Sequence, residues 1–480
     1  MRFLPTGIIV LISCVLNISP IAAGTQFVAG GTFPVGTGPR FVALADFNKD
    51  GKLDAAVANY GSDNISILIG NGDGTFQSAS NYNVKANSKV WGLAVADLNG
   101  DGKLDIVVTP NSLSEIEIFF GNGDGTFQTQ FSSVPVQRSP ISVAAADLNG
   151  DGKMDLAVVN HASDTVSILL GNGNGTFQSQ VTYPIGVQAR WVVIADFDHD
   201  QKLDLAVVNG GDNNVAILLG HGDGTFASAV NFPTGNVPVS LVAGRFNNDN
   251  DVDLVSADFK GDSGIQNVNT VSTLLGNGNG SFQPPAPSNV GAAPFTIASG
   301  DFNGDGNLDV VTANQNSSNI TVLRGNGNGT FQSGVNFPAG SGSVAVDVGD
   351  LNNDGAPDLV VGNAGANNVE VFYNTGGTRI TTSSSPDPSH IQQQVTFMTT
   401  VQASIPGSPD PTGNVIFYDG TNPLGTAPLN SGQAILKISS LSAGTHVIKA
   451  VYLGDNNFNP HAAASIRQLV SALTPRNVTF

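Results

Sequence analysis

Cysteine is almost absent from this chain, which has Cys14 alone among 480 residues. A single thiol cannot form an intrachain disulfide, so a disulfide framework is excluded. Histidine is also scarce, and the six residues present form no His-Glu-x-x-His pair. The common zinc hydrolase motif is therefore missing, and an exported form of the protein needs a staple of another kind.

The chain also carries little positive charge, with 19 basic against 38 acidic residues and a net charge of −19. This balance argues against binding to nucleic acid or to anionic membranes. Charged residues make up only 12% of the chain, whereas glycine supplies 58 positions. Such a composition favours a turn-rich β protein over a helical or disordered one.

Residues 1–23 have the pattern of a signal peptide, with Arg2, an apolar stretch over 7–18 and small residues up to Ala23. We predict cleavage after Ala23 and a secreted or cell-surface protein. The alternative is a lipoprotein anchored through Cys14, because the residues that end there resemble a lipobox. No other segment has the length and hydropathy of a membrane span.

The most informative pattern is a nine-residue loop, Asp-x-Asn/Asp-x-Asp-Gly-x-x-Asp or a near relative. Seven copies, 49 to 56 residues apart, begin at Asp46, Asp97, Asp147, Asp196, Arg245, Asp301 and Asp350. Oxygen-bearing side chains at positions 1, 3, 5 and 9, with glycine at the bend, are suited to wrap a hard cation. These positions hold more than half of the acidic residues, so the negative charge reflects metal-site chemistry.

Each repeat has the pattern of four short β-strands. In the first repeat, apolar runs cover 41–45, 53–59 and 65–70, and a fourth run covers 76–84. Four strands in about 50 residues are typical of a β-propeller blade. The seventh repeat lacks its fourth strand, and residues 24–36 match the missing piece. The N-terminal strand is therefore predicted to complete the last blade and close the ring.

A glycine-rich turn precedes the fourth strand in six repeats. Its copies lie at 70–76, 121–127, 171–177, 220–226, 276–282 and 325–331. Glycine and asparagine tolerate the positive φ of a tight turn, and the phenylalanine that ends each copy is expected to pack between blades. A phosphate-binding loop is not expected, since neither a helix nor a Lys-Ser/Thr pair follows.

The acidic loops, the Gly-Asn-Gly-x-Gly-Thr-Phe turns and the sevenfold count resemble the FG-GAP/VCBS repeat propellers, whose relatives include the integrin α-chain head domains. The resemblance covers 27–377, and we assign the propeller to 24–377. It implies an all-β fold, namely a seven-bladed, calcium-binding extracellular β-propeller. It does not imply a particular ligand, because a fold does not settle function.

On this resemblance, six loops are expected to bind Ca²⁺. The expected side-chain ligands are Asp46, Asn48, Asp50, Asp54; Asp97, Asn99, Asp101, Asp105; Asp147, Asn149, Asp151, Asp155; Asp196, Asp198, Asp200, Asp204; Asp301, Asn303, Asp305, Asp309; and Asp350, Asn352, Asp354, Asp358. Position 7 is expected to contribute its backbone carbonyl, at Lys52, Lys103, Lys153, Lys202, Asn307 and Ala356. An EF-hand is excluded, because position 12 is valine in the first three loops where glutamate is required.

Two loops depart from the pattern. The fourth has Gln201 in place of glycine, and weaker binding is expected there. The fifth has Arg245 at position 1, a fixed cation where a carboxylate belongs. Arg245 is expected to pair with Asp249 or Asp253 in place of an ion, so this loop is predicted to be metal-free.

Residues 379–471 lack acidic loops and form Ser/Thr-rich runs. The segments TGNVIFYDG and VYLGDNNF resemble a bacterial Ig-like repeat. Short alternating strands separated by turn residues independently support a β-sandwich. The resemblance implies a spacer or adhesive module, and residues 472–480 are assigned to a tail.

In an up-and-down blade the acidic loops and glycine turns share one face, and the remaining loops share the other. The first face is nearly identical between repeats, whereas the second varies, so a partner site is predicted on the second face. Its candidate residues are Arg40, Trp91, Arg190, Trp191 and Phe295, of the types that anchor binding patches. Alternatively, the tryptophans only wall the channel and the arginines are solvated.

The predicted function is that of a monomeric, calcium-binding adhesion or recognition module for an extracellular protein or glycan. The alternative is a structural scaffold without a specific ligand, and an accessory to a lectin-like or carbohydrate-active enzyme is less favoured. Catalysis is not predicted. Residues 261–264 resemble the nucleophile loop of serine proteases, but Ile265 interrupts the motif and no histidine segment matches.

Overall fold

The computed structural model describes residues 27–259, 269–405, 408–455 and 457–472. The predicted signal peptide, the segment 261–264 and nearly all of the predicted tail lie outside these residues. Within them every regular element is a β-strand. No helix that could span a membrane is found in the described part of the chain.

The first 28 strands form seven antiparallel sheets of four strands. In chain order they are β1 (Phe27–Pro34), β2 (Pro39–Ala45), β3 (Asp54–Asn59), β4 (Asn64–Leu68), β5 (Ser80–Asn83), β6 (Val90–Ala96), β7 (Asp105–Pro110), β8 (Glu115–Phe119), β9 (Ser132–Pro135), β10 (Pro140–Ala146), β11 (Asp155–Asn160), β12 (Thr165–Leu169), β13 (Val181–Pro184), β14 (Ala189–Ala195), β15 (Asp204–Asn209), β16 (Asn214–Leu218), β17 (Val230–Pro233), β18 (Pro238–Gly244), β19 (Asp253–Asp258), β20 (Thr270–Leu274), β21 (Ala286–Asn289), β22 (Pro294–Gly300), β23 (Asp309–Asn314), β24 (Asn319–Leu323), β25 (Val335–Pro338), β26 (Ser343–Gly349), β27 (Asp358–Asn363) and β28 (Asn368–Asn374). Blades one to six are β2–β5, β6–β9, β10–β13, β14–β17, β18–β21 and β22–β25. The predicted seven-bladed propeller is confirmed.

The seventh blade closes the ring with the N-terminal strand, as predicted. Its strand order is β1-β28-β27-β26, and β1 pairs antiparallel with β28 from Phe27 opposite Asn374 to Pro34 opposite Asn368. An apolar cluster then joins blade seven to blade one, with Val360 and the neighbouring valines of β27 and β28 against the buried side chains of β2 to β4. Closure therefore gives blade seven its fourth strand, and blade seven packs against blade one.

Burial explains why the middle strands are almost continuously apolar. Strands β3 and β4 are buried at every position, because each blade packs against a neighbour on both faces. The outer strand β5 is mostly exposed, and it begins at Ser80, later than the predicted run from Phe76. Phe76 itself pairs only through an isolated bridge to Gly70, and its ring packs edge-on against Phe33. The predicted packing of this phenylalanine between blades is confirmed.

The C-terminal strands form the predicted Ig-like sandwich. They are β29 (Thr378–Ser385), β30 (Ser389–His390), β31 (Val395–Ala403), β32 (Asn414–Asp419), β33 (Asn422–Pro428), β34 (Gln433–Ile438), β35 (Gly444–Tyr452), β36 (His461–Ala462) and β37 (Ile466–Ser471). One sheet has the order β29-β31-β34 and the other β30-β37-β35-β32-β33. Phe397, Phe417 and Tyr452 are fully buried in the core between them.

One buried carboxylate departs from the repeat pattern. The second strand of blade one ends at Asn59, whose Nδ2 donates to Asn64 Oδ1 at 2.9 Å and Ser66 Oγ at 2.8 Å. At the equivalent position, blade five has Asp258, which is fully buried and accepts bonds from the hydroxyls of Ser256, Ser272 and Thr270. Burial raises the pKa of Asp258 to about 6.

We expect Asp258→Asn to stabilise the propeller at pH 8, by on the order of 1–2 kcal/mol. The folded state binds this proton more tightly than the unfolded chain, so ionisation costs folding free energy as the pH rises from about 4 through about 6. Below that window the carboxyl is protonated in both states, and the substitution should have little effect. Urea denaturation at pH 8 and near pH 4 measures both values. Equal effects at the two pH values would contradict the assignment.

Candidate functional site

The side-chain oxygens of the acidic loops turn inward to bind the loop's own backbone. In the first loop, the Asp46 carboxylate accepts the N–H groups of Asp50 at 3.1 Å and Gly51 at 2.9 Å. Asn48 Oδ1 accepts the same Asp50 N–H, and Asp50 Oδ1 accepts the N–H of Lys52. The same bonds recur in the second, third, sixth and seventh loops. Positions 1, 3 and 5 are therefore gathered around one point in each loop.

The aspartate at position 9 has a structural role that the sequence pattern did not show. Asp54 is fully buried, and its two oxygens accept the N–H groups of Phe47 at 2.9 Å and Gly70 at 2.8 Å. It thus ties the acidic loop to the glycine turn of the same blade. A Cβ on Gly70 would lie 2.1 Å from the Leu53 carbonyl oxygen, so this approach requires glycine. Burial raises the pKa of Asp54 to about 6, against the effect of the two backbone bonds.

The residues of six loops fit a hard divalent cation. Their donors are all oxygens, the ligand type that Ca²⁺ prefers. In the fourth loop, Asp196, Asp198 and Asp204 offer oxygens that lie within 4.8 Å of one another. Asp196 Oδ1 is buried and has no hydrogen-bond partner. Gln201 has a positive φ of 66°, where the glycines of the other five loops have 77–84°. Its N–H still donates to Asp196, so the fourth loop closes despite the substitution.

The ion pair predicted for Arg245 is wrong. Its side chain is exposed, and no ion pair to Asp249 or Asp253 exists among the described residues. Asp253 already accepts three backbone N–H groups, from Phe246, Asn247 and Gly276, which leaves Arg245 little to gain there. The position 9 contacts therefore persist in a loop that lacks a carboxylate at position 1.

The acidic loops and the glycine turns share a face, as predicted, and stitch neighbouring blades together. In five of the junctions, a turn glycine donates its N–H to the carbonyl that follows the loop head of the adjacent blade. Gly175 donates to Leu98 at 3.0 Å, and Gly74 donates to Leu351 at 3.0 Å, which spans the closure point of the ring. The uniform loops of this face are thus part of the blade-to-blade contact.

The opposite face carries a ring of β-bulges. In every blade, the register of the inner strand shifts between its first and third residues. The second residues, which the shift leaves unpaired, are Arg40, Trp91, Ile141, Arg190, Val239, Phe295 and Val344. Bulges re-aim side chains, which explains how residues from distant repeats meet at the channel.

All five predicted ligand-binding residues line a single cavity at this point. Phe41, Ile141 and Val239, which were not predicted as ligand-binding residues, complete its lining. Ile141 and Val239 are the second residues of their inner strands, as Arg40 is, and this shared position could have identified them. Phe41 is the third residue of β2 and had no such signal. The cavity volume is about 10 Å³, roughly the room that one water molecule needs. Only a small group of a ligand fits inside.

The two cavity arginines are partly buried. The Arg40 guanidinium lies 5.3–5.4 Å from the ring centres of Tyr60, Trp91 and Phe295. Arg190 Nε is buried without a hydrogen-bond partner. Burial lowers the pKa of both residues. Neither has a carboxylate within ion-pair distance in the described ranges.

Seven antiparallel blades with acidic loops on one face define an extracellular-type β-propeller. Matches to the FG-GAP-like repeat cover 46–108, 106–158, 147–207, 196–256, 246–312 and 301–361, and a match to the FG-GAP repeat covers 343–381. The chain therefore belongs to the FG-GAP repeat family. Residues 380–471 match the bacterial Ig-like domain (group 3), which confirms the second resemblance.

Solved structures show a likeness in fold. The chain is similar to a functionally unknown protein from Desulfotomaculum acetoxidans, with 14% identity and a TM-score of 0.51 over 68% of this chain and 93% of that one. It is also similar to BBS1N, solved in complex with ARL6DN, with 13% identity and a TM-score of 0.51 over 72% of this chain and 96% of that one. No curated protein matches the chain. At these identities the likeness supports the fold alone.

Positions 5 and 9 should respond differently to mutation. Asp105→Asn leaves one of two buried backbone N–H groups, those of Leu98 and Gly121, without a carboxylate acceptor. It should destabilise the propeller by about 1–3 kcal/mol with chelator, and by more with calcium because a ligand of the ion is lost as well. The matched variant Asp101→Asn should lower stability only when calcium is present. Urea denaturation in both conditions measures this, and an Asp105→Asn variant that loses no stability with chelator would contradict the structural role of position 9.

Proposed function

We propose that this protein is a calcium-stabilised extracellular recognition module whose ligand binds over the bulge ring. Both families it matches are typical of extracellular proteins. The observation that carries the proposal is the cavity, where Arg40 and Arg190 meet four aromatic side chains without a carboxylate partner among the described residues. A secreted or surface-exposed location follows from the predicted signal peptide.

The chemistry of the cavity favours an anionic group on the ligand. A guanidinium pairs with a carboxylate through two parallel N–H bonds, and its planar faces stack on aromatic rings. Three rings surround the Arg40 guanidinium, which holds its donor edge in place. A carboxylate carried by a glycan or a protein would place one oxygen in the cavity, which has room for about one water molecule.

A scaffold without a ligand is the second candidate function. It is favoured by the packing of the aromatic rings on one another. The ring centres of Phe41 and Trp191 lie 5.3 Å apart, and those of Trp91 and Phe295 lie 6.0 Å apart. These contacts join strands β2 and β14 and strands β6 and β22, so the cluster also acts as a plug for the channel. We propose no catalytic role for either candidate.

The calcium proposal assigns the ions to six loops. Side chains at positions 1, 3, 5 and 9 would hold each ion, and the ion would neutralise carboxylates that now face one another. Bound ions would stabilise the folded propeller, since the unfolded chain has no preformed site.

Calcium titration of the stripped full chain should saturate at about six ions. Asp147→Asn should remove one site, and Arg245→Asp should create a seventh, because it restores the carboxylate at position 1. Isothermal titration calorimetry counts the sites. Seven ions in the unmodified protein would show that Arg245 does not prevent binding.

The ligand is sought on arrays of glycans and matrix proteins, with calcium and with chelator. For a ligand found there, Arg190→Ala and Trp191→Ala should each weaken binding about tenfold or more. Arg138→Ala is the matched control, because Arg138 is exposed on the same face and its guanidinium donates to the Ala162 carbonyl. Both tryptophans of the chain line the cavity, so intrinsic fluorescence reports binding there directly. No ligand on any array would favour the scaffold.

A further inference from the structure

The C-terminal domain is docked on the acidic-loop face of blades six and seven. Two backbone hydrogen bonds cross the joint between the propeller and this domain. The Thr378 N–H donates to the Asp354 carbonyl at 2.9 Å, and the Asn459 N–H donates to the Gly376 carbonyl at 2.8 Å. A Cβ on Gly304 would lie 2.7 Å from Pro460, and one on Gly355 would lie 2.5 Å from the His461 ring. The two loops and the domain are therefore in direct contact.

Part of the joint replaces a missing element of the propeller. Blade seven has no glycine turn to donate to the Phe302 carbonyl of blade six. Instead, Asn374 Nδ2 donates to that carbonyl at 2.8 Å and Asn459 Nδ2 at 3.2 Å. Asn459 belongs to the C-terminal domain, which thus completes the junction between the last two blades.

The sixth and seventh loops lack the lysine that the first four loops have at position 7. In the first four loops, the lysine at position 7 pairs with the aspartate at position 5, at 2.7–3.3 Å. The sixth and seventh loops have Asn307 and Ala356 there, and Ala356 is fully buried. A lysine at position 356 would be buried, which explains the alanine there. Asp354 consequently has no lysine partner, although it is 1% exposed.

The Asp354 carboxylate is buried at the joint, where it accepts the N–H of Ala356 and has the Ser404 hydroxyl beside it. Asn459 Oδ1 is also buried at the joint and has no hydrogen-bond partner. Burying an anion that has only neutral donors costs free energy, and a bound cation would offset that cost. Docking of the domain and cation binding in the seventh loop should therefore stabilise each other.

We propose that calcium in the seventh loop clamps the Ig-like domain onto the propeller and that its removal releases the domain. This inference rests on the proposed calcium binding. The clamp makes the angle between the two domains dependent on calcium. Ions in the open loops two and three would stabilise only the ring.

Hydrogen exchange of the full chain, with calcium and with chelator, tests the clamp. The reporters are the peptides that contain the Thr378 and Asn459 amides. Chelator should speed their exchange by about tenfold or more. Asp350→Asn should release both peptides even with calcium, whereas Asp97→Asn, at the same position of an open loop, should keep the calcium-dependent protection.

A second variant separates the charge from the metal. Asp354→Asn removes the buried anion, so both peptides should stay protected with or without calcium. Calorimetric titration of the same samples distinguishes the two proposals. If no calcium binds, the proposed calcium function fails. If calcium binds and chelator leaves the two peptides protected in the unmodified chain, the clamp alone is overturned.

Discussion

The propeller depends on one repeated contact, the buried carboxylate at position 9 of each acidic loop. Its two oxygens bind the backbone at the loop and at the start of the glycine turn, and in the seventh blade Asn374 supplies the second N–H. Two charge-assisted bonds to buried amides hold the loop ends of the second and third strands together. Because the glycine turn then bonds to the next blade, this carboxylate sets the spacing around the ring. It is kept in the fifth loop, where the metal pattern is broken.

The division of the propeller into two faces follows from this contact. Loops that take part in the blade-to-blade bonds have little freedom to vary, and they are nearly identical. The described loops of the opposite face do not make these repeated bonds between blades. The bulges there leave one residue of each inner strand unpaired, so that residue is free to vary. The chain uses these positions for residues as different as Arg40, Ile141 and Phe295. The proposed metal sites and the proposed ligand site therefore lie at opposite ends of the channel.

The C-terminal domain is part of the same system and not an appendage. Ring closure takes the N-terminal strand into blade seven, which leaves that blade without a glycine turn. The domain fills this place with Asn459 and covers the last two loops. Burial there, together with neighbouring carboxylates, raises the pKa of Asp309 and Asp358 to about 8, compared with about 6 for Asp54 in an open loop. The same nine-residue pattern thus has different electrostatics in open and covered loops.

The sequence by itself determined the strand count, the sevenfold ring, its closure by the N-terminal strand and the Ig-like domain. These features depend on local turn chemistry and on a repeat that can be read directly along the chain. It also placed the acidic loops, although it missed the double hydrogen bond of position 9 and assigned Arg245 a partner that it does not have. Only the tertiary structure decided which side chains meet in the cavity, because a bulge in each inner strand brings together residues one or more repeats apart. The docking of the C-terminal domain was likewise decided there, since Asn459 lies more than 150 residues from the carbonyl that it binds.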